Sequence, residues 1–281
     1  NTRCLVGTGG WRQMEGPLEV SEFTDVRYEV EDGLAWIVID RPDRFNSFRA
    51  RTIDELIAAF KAAWVDSEVG VVALTGAGDR AFCAGGDQKQ RAETGDYGPS
   101  ETGLFEVEQL HRLIRDIPKP VIAAVNGYAI GGGHVLHVLC DITIASSNAV
   151  FGQSGPRVGS FDAGFGTAYL ARLIGEKRAR EVWMFCRQYD AKKAMDWGLV
   201  NEVVEPGELR STVRSWADDA LALSPTSLRV LKQSFNADSA SIIGLSSMAW
   251  AHLDQFVTSP EAAEGVAAFN EKRDPDFSPW R

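Results

Sequence analysis

Two glycine-rich segments hold the residues best placed to do chemistry in this chain. In the stretch Val121 to Ala145, a β-branched apolar run meets Asn126-Gly127 and then the triple glycine Gly131-Gly132-Gly133. A helical apolar pattern follows through His134, Leu136, Val138 and Leu139, so the order predicts strand, glycine turn, helix. Three adjacent glycines let the backbone turn sharply and leave peptide N–H groups uncovered at a helix N-terminus, where negative charge is favoured. The second segment, Phe82-Cys83-Ala84-Gly85-Gly86-Asp87, follows the apolar run Val71 to Thr75 in the same way. Either one alone reads as an ordinary turn. Together they could each aim one N–H at a single oxygen, the geometry of an oxyanion hole.

Other reactive side chains are sparse. His134 and His137 stand three apart, a spacing that puts two imidazoles on one helix face, yet no nearby Cys, Asp or Glu completes a metal set. Buried, hydrogen-bonded histidines are the simpler reading, and no metal is expected. Cys4, Cys83, Cys140 and Cys186 show no C-x-x-C spacing, which fits reduced thiols in a cytoplasmic protein. The net charge is −10 over 281 residues and Lys and Arg form no long run, which argues against nucleic acid as a partner. The longest apolar stretches are interrupted well short of a membrane-spanning length, so no membrane association is expected. The first twenty residues lack the layout of a signal peptide and read as a flexible arm.

The elements that must position the glycine turns can be followed along the chain. Arg27 to Glu31 and Leu34 to Asp40, joined by Asp32-Gly33, predict a hairpin. Ile53, Leu56, Ile57, Phe60 and Trp64 predict a helix over 52–65, and Val71 to Thr75 a buried strand. A helix over 105–115, the strand at Val121, the helix through Leu136 and short strands at Ile142 to Ala145 and Val150-Phe151 repeat the same order. Turns of strand, strand and helix stacked along an axis would bury a continuous core. From Gly166 the pattern becomes helix after helix: 167–174, 177–186, 191–197, 207–221, 225–236 and 239–257, then a polar tail. Strand signal survives there only near Val200 to Val204.

Five motifs in order, IDRPDRFNSF, LTGAGDRAFCAGGDQK, KPVIAAVNGYAIGGGHVL, CDITIAS and FGQSGPRVGS, resemble the crotonase (enoyl-CoA hydratase/isomerase) superfamily from about Phe23 to the end. The resemblance implies an α/β crotonase fold of stacked ββα turns, with an arm at 1–20, a spiral core at 21–205 and a C-terminal helical region at 206–281. That region would serve oligomerisation and closure of the CoA site. It also implies a CoA thioester substrate whose enolate oxygen is held by the N–H groups of Gly86 and Gly132, and a homotrimer or homohexamer. CoA itself would meet Arg44, Ala84, Asp87, Gln88 and Lys89. Phe269, Lys272 and Arg273 stand where the family's C-terminal helix often meets adenine and phosphates, or else Lys272 and Arg273 are a solvated charge pair.

Hydratases of the superfamily carry two glutamates at the positions of Val135 and Gly155, so water addition by two glutamates is not expected here. Instead, GQSGPRVGSFDAGFG resembles the 2-ketocyclohexanecarboxyl-CoA hydrolases, which open a ring, and the 1,4-dihydroxy-2-naphthoyl-CoA synthases, which close one. Both imply Asp162 as the carboxylate for proton transfer, with the Ser160 and Tyr97 hydroxyls positioning or protonating substrate. As bare residues, these three would read as a turn cap and two loop hydroxyls. Gln153, Gly155 and Trp183 match the pocket that holds bicarbonate in the glycine-bearing synthases, and hydrolase-like relatives share them, so bicarbonate or water could sit there. The synthases also carry a tyrosine from a neighbouring subunit where this chain has Val257, which cannot donate a hydrogen bond. Trp250 or His252 would have to reach the site in its place. The expected activity is ring-opening hydrolysis, with ring-closing synthesis as the alternative and non-catalytic acyl-CoA binding as the third.

Overall fold

The computed structural model describes residues 22–281. The predicted N-terminal arm and Cys4 lie outside the described residues. The chain opens with the hairpin β1 (Val26–Glu31) and β2 (Leu34–Ile39), paired antiparallel from Val26 with Ile39 to Glu31 with Leu34. Its two-residue turn takes positive φ at both Asp32 (45°) and Gly33 (80°), the primed geometry that matches strand twist. Helix α1 (Ala50–Val65) then leads to β3 (Val71–Gly76), parallel to β2.

From there the strands come in pairs. β4 (Ala81–Cys83) follows β3 and leads into the helices α2 (Gln88–Thr94) and α3 (Val107–Asp116). β5 (Val121–Val125) and β6 (Tyr128–Ile130) lead into α4 (Gly132–Leu139). β7 (Ile142–Ser146) and β8 (Val150–Gly152) lead, through a loop and a π-helical turn at Phe165–Tyr169, into α5 (Leu170–Ile174) and α6 (Glu176–Phe185). The first strand of each pair joins a six-stranded sheet ordered β1-β2-β3-β5-β7-β10, and the second joins a four-stranded sheet ordered β4-β6-β8-β9. β9 (Gln188–Asp190), helix α7 (Ala191–Asp196) and β10 (Glu202–Val204) complete both sheets.

The continuous apolar runs of β2 and β5 follow from this layering, because both faces of the large sheet are covered. Ala35, Ile37 and Ile39 point into the main core with Leu56, Phe60 and Leu110. Their alternating neighbours Leu34, Trp36 and Val38 meet Leu209, Val213 and Ala217 of α8 (Leu209–Leu221) on the other face. Asparagine side chains, Asn46 buried and Asn126 half-buried, fasten the turns between the sheets: Asn46 Nδ2 donates to Ala77 O and Ala81 O at 2.9 and 2.6 Å, and Asn126 Nδ2 to Gly76 O at 2.8 Å.

Three helices finish the chain: α9 (Pro225–Asp238), α10 (Ser241–Phe256) and α11 (Pro260–Glu271). The segment that reads as a polar tail is thus largely helical. Ser259 caps α11 by accepting from Ala262 N, and Pro260 supplies a compatible first residue. Strands β4, β6 and β9 depart from the sequence reading too. Each has only three residues, too few for an alternation to register, so strand-turn-helix at Val121 becomes strand, turn, strand, glycine turn, helix.

Candidate active site

Strand pairing brings the two glycine segments together. β4 and β6 lie side by side and parallel, with Ala81 opposite Tyr128 and Cys83 opposite Ala129, so the turns that leave their C-terminal ends are neighbours. Gly85 (φ 84°) and Gly131 (φ 59°) take left-handed backbone conformations at these turns, which is why glycine stands at both. A methyl group on Gly85 would come 3.1 Å from the Gly132 nitrogen. Phe48 locks the first turn from the side: its N–H donates to Gly85 O at 2.8 Å, and its carbonyl accepts from Asp87 N at 2.8 Å. Among the described residues neither Gly86 N nor Gly132 N donates to another group, and Gly132 is the first residue of α4. Two uncommitted amides at adjacent turns are what an oxyanion requires.

Both amides open onto a cleft of about 1670 Å³. Most of the residues that the sequence assigns to the site line it, and Arg273 and His252 do not. Gly86, Gly132, Asp162, Ser160 and Tyr97 do so, as do Gln153, Gly155 and Trp183, and Arg44, Ala84, Asp87, Gln88, Lys89, Phe269 and Lys272. Tyr97 is pinned over the first turn, where a methyl group on Gly86 would lie 2.7 Å from its hydroxyl oxygen. Its ring stacks on Phe105 with centroids 4.7 Å apart, and its carbonyl accepts from Ala50 N at 2.8 Å.

Asp162 sits at one end of the cleft. Burial pushes its carboxyl up to about 7, opposed in part by the Gly166 amide, and no cation pulls it back. The residue is half-buried overall, but Oδ1 is shut from solvent and has no hydrogen-bond partner. Trp183 backs this end: its Nε1 donates to Gly166 O, and its ring lies against both Gly155 and Gly166. The π-helical turn at Phe165–Tyr169 presents that carbonyl. Gly155 lines the cleft, but its missing side chain leaves no empty slot, since a methyl group there would meet Ser160 O at 2.7 Å. Val135 is fully buried and packs on Gly166.

At the other end Asp87 has its side chain committed. It pairs with Arg41 at 2.9 Å and accepts from Lys89 N and Gln90 N at the start of α2, so its carboxylate acts as a cap. Gln88 Nε2 donates to Gly86 O at 3.1 Å and so steadies the first glycine turn. Arg91, which the sequence reading does not single out, is buried and bonds Val158 O and Gly159 O at 3.3 and 3.2 Å. The loop that carries Ser160 is thereby tied to α2. Ser154, also not singled out, lines the cleft with its Oγ 3.3 Å from the Cβ position of Gly131. Cys83 is a buried thiol pushed up to about 12, so it supplies no thiolate.

The far wall comes from α10 and α11 of the same chain. Trp250, Leu253, Asp254 and Val257 line the cleft beside Phe161. Val257, where the resemblance places a residue from a neighbouring subunit, therefore faces its own chain's cleft. Of the two proposed substitutes, Trp250 reaches the cleft and its Nε1 has no partner. His252 is exposed and bonds back to Met248 O at 2.8 Å. Arg273, named with Phe269 and Lys272 near the end, pairs with Glu264 and Glu271.

His134 and His137 are buried against one another, with ring centroids 4.8 Å apart. His134 Nδ1 lies 3.4 Å from Gln153 Nε2, and His137 Nδ1 lies 3.2 Å from Thr143 Oγ1. The described residues contain no cluster of His, Cys, Asp and Glu able to hold a metal ion.

Residues 29–279 match the enoyl-CoA hydratase/isomerase family. The chain belongs to that family. As a member of the crotonase superfamily it is an enzyme acting on CoA thioesters, and solved relatives share its fold along nearly their whole length. An enoyl-CoA hydratase from Mycobacterium avium subsp. paratuberculosis K-10 is 28% identical with a TM-score of 0.81, covering 90% of this chain and 98% of its own. A carnitinyl-CoA hydratase from Mycobacterium avium is 30% identical with a TM-score of 0.79, covering 91% and 98%. An enoyl-CoA hydratase subunit from Geobacillus kaustophilus HTA426 is 32% identical with a TM-score of 0.70, covering 92% and 99%. Among the described residues of this crotonase, no helix is long and apolar enough to cross a membrane.

Proposed function

We propose that this crotonase is a hydrolase that opens the ring of a cyclic β-keto acyl-CoA resembling 2-ketocyclohexanecarboxyl-CoA. The observation that carries the reading is Asp162, a buried carboxyl without a cation partner that lines the same cleft as the Gly86 and Gly132 amides. Val135 and Gly155, standing where hydratases have glutamates, leave two-glutamate water addition without its groups.

In the proposed reaction Asp162 takes a proton from water, and the hydroxide adds to the ring ketone. The bond between that carbon and the α-carbon breaks, and its electron pair passes into the thioester enolate, held by Gly86 N–H and Gly132 N–H. Asp162 returns its proton to the α-carbon, giving an open-chain carboxylic acid still joined to CoA. A carboxyl with a pKa near 7 suits both steps at neutral pH. Ser160 and Tyr97 position the substrate oxygens.

Ring closure in the synthase manner is the second reading, favoured by the free Trp250 Nε1 at the cleft, a donor that could replace the missing tyrosine. We also propose a homotrimer, alone or paired into a hexamer. Apolar side chains left exposed on α9 and α10, among them Leu231, Phe235 and Met248, support that assembly.

Mass spectrometry of reactions with 2-ketocyclohexanecarboxyl-CoA and, separately, o-succinylbenzoyl-CoA tests these readings. Gain of one water on the first, abolished in Asp162→Asn, is the expected result. Loss of one water from the second would replace the hydrolase with the synthase. Tight acyl-CoA binding without turnover of either would leave a binding protein.

A further inference from the structure

Behind the Asp162 end of the cleft lies a buried pair that the proposed reaction does not use. Gln153 is 1% exposed and His134 is 1% exposed, and they meet through Gln153 Nε2 and His134 Nδ1 at 3.4 Å. Gln153 Oε1 has no partner. We propose that His134 is a positioning residue. It holds the Gln153 amide by its N–H, so that Gln153 presents a carbonyl oxygen as its free group and the pocket beside it takes a hydrogen-bond donor, water, rather than an oxyanion such as bicarbonate. This rests on the reading of the cleft as an enolate-forming site, and it names what occupies that site besides the thioester.

A neutral imidazole has one donor and one acceptor nitrogen, so the state of the ring fixes which way a bound amide points. Burial lowers the pKa of His134 to about 3, which keeps the ring neutral at any working pH. With Nδ1 as the acceptor, the amide N–H is spent on it and the amide oxygen remains. The rest of the ring packs T-shaped on His137 and Phe151, centroids 4.8 and 6.4 Å away. Aromatic π density tolerates an N–H better than a lone pair, which favours the proton on Nε2.

The surroundings agree with a donor ligand. A buried carbonyl oxygen left unpaired is costly, and a bound water relieves that cost. Trp183 connects this pocket to the acid, because its ring touches Gly155 and Gly166, and the Cβ position of Gly166 is 3.3 Å from Asp162 Oδ1. An anion here would face the Gln153 amide oxygen, itself an acceptor, in a cleft whose Asp162 carboxyl has no cation coupled to it. Water, by contrast, can donate to the amide oxygen, and it is the co-substrate of the ring opening.

Selective 15N-histidine labelling of the full chain gives a readout that needs no turnover. Long-range 1H–15N spectra are recorded from pH 5.5 to 8.5, and His134 is assigned by its loss in His134→Asn. The expected result is an unprotonated Nδ1 and a protonated Nε2 throughout. A proton on Nδ1 would turn the amide round and overturn the proposal, as would broadening of 13C-bicarbonate by the wild-type protein but not by Gln153→Leu.

In the turnover assay, wild-type rates should agree within about twofold between bicarbonate-depleted and bicarbonate-rich buffer, whereas a tenfold dependence refutes the assignment. His134→Phe keeps an aromatic ring and loses the acceptor, so kcat should fall about 10–100-fold with KM little changed. His134→Asn restores an acceptor near the Nδ1 position and should recover most of that loss. Equal defects in the two variants would reduce His134 to a packing residue. Failure of the substrate assay alone would count against the hydrolase reading, while the spectra would still decide the tautomer and the anion.

Discussion

The two ends of the cleft treat polar groups in opposite ways. At the α2 end the groups around the first glycine turn are engaged, Gln88 Oε1 excepted: Asp87 with Arg41 and two backbone amides, Gln88 Nε2 with Gly86 O, and Arg91 with two carbonyls of the opposite loop. At the Asp162 end Asp162 Oδ1, Gln153 Oε1 and Trp250 Nε1 are buried without partners. Paired groups hold a shape and are poor reactants, because their charge is already neutralised. Unpaired buried groups raise the energy of the empty protein and lower it again when substrate arrives. The contrast separates residues that build the site from residues that act in it, although aspartates line both ends.

The largest effect should come from the unpaired end. Asp162→Asn removes the proton acceptor with little change of shape, and kcat should fall by about 10²–10⁴ in the ring-opening assay. A fall of less than tenfold would erase the distinction between the two aspartates. In the wild type, kcat/KM should rise with pH and level off above an apparent pKa near 7. Stability should move the other way. A carboxyl that ionises near 4 when unfolded and near 7 when folded holds more protons in the folded state between those values, so stability declines as pH rises through that window. Asp162→Asn should therefore melt higher than the wild type at pH 8, by roughly 2–5 °C, and equal it at pH 4. Equal melting temperatures at pH 8 would mean that the acid is not strained.

Next in size is the anion hole between the two ends. A methyl group at Gly132 would meet the Phe48 ring at 2.6 Å and shift the amide, so Gly132→Ala should cost about 10²-fold in kcat with the fold retained by circular dichroism. Smallest in kinetics is the paired end. Asp87→Ala breaks a buried ion pair and a helix cap, so denaturant titration should show a loss of about 2–4 kcal/mol. KM for the CoA thioester should rise more than kcat falls. A variant as stable as the wild type but inactive would move Asp87 into the reaction.

These contrasts also show what could be read from the letters alone. β2 and β5 were legible because burial on both faces demands unbroken apolar runs, and Asp32-Gly33 because its turn needs positive φ. The glycine turns and Asp162 were legible through the motifs around them, and all of those residues line one cleft. β4 and β6 were not, and they matter most, since their pairing alone sets Gly86 beside Gly132. Three residues carry too little pattern for a strand; the partner that stabilises them lies far along the chain. Arg91 and Ser154 escaped for a related reason: their roles depend on backbone atoms of other segments, which no side-chain pattern announces. His134 read as a buried histidine, and only its distance to Gln153 gives it a task.

The wall formed by α10 and α11 has a consequence for how the enzyme is made. Both helices follow the strands in sequence, α11 packs on α2, and Gly265 lies hard against Gly159 in the loop that carries Ser160. During synthesis the two glycine turns and Asp162 emerge well before the α10 and α11 residues that line the far side of the cleft. A ribosome-bound chain ending near residue 240 carries the reactive groups over an open floor, with the apolar partners of Trp250 and Leu253 uncovered. A complete cleft thus waits for α10 and α11, which follow every strand of the two sheets in sequence.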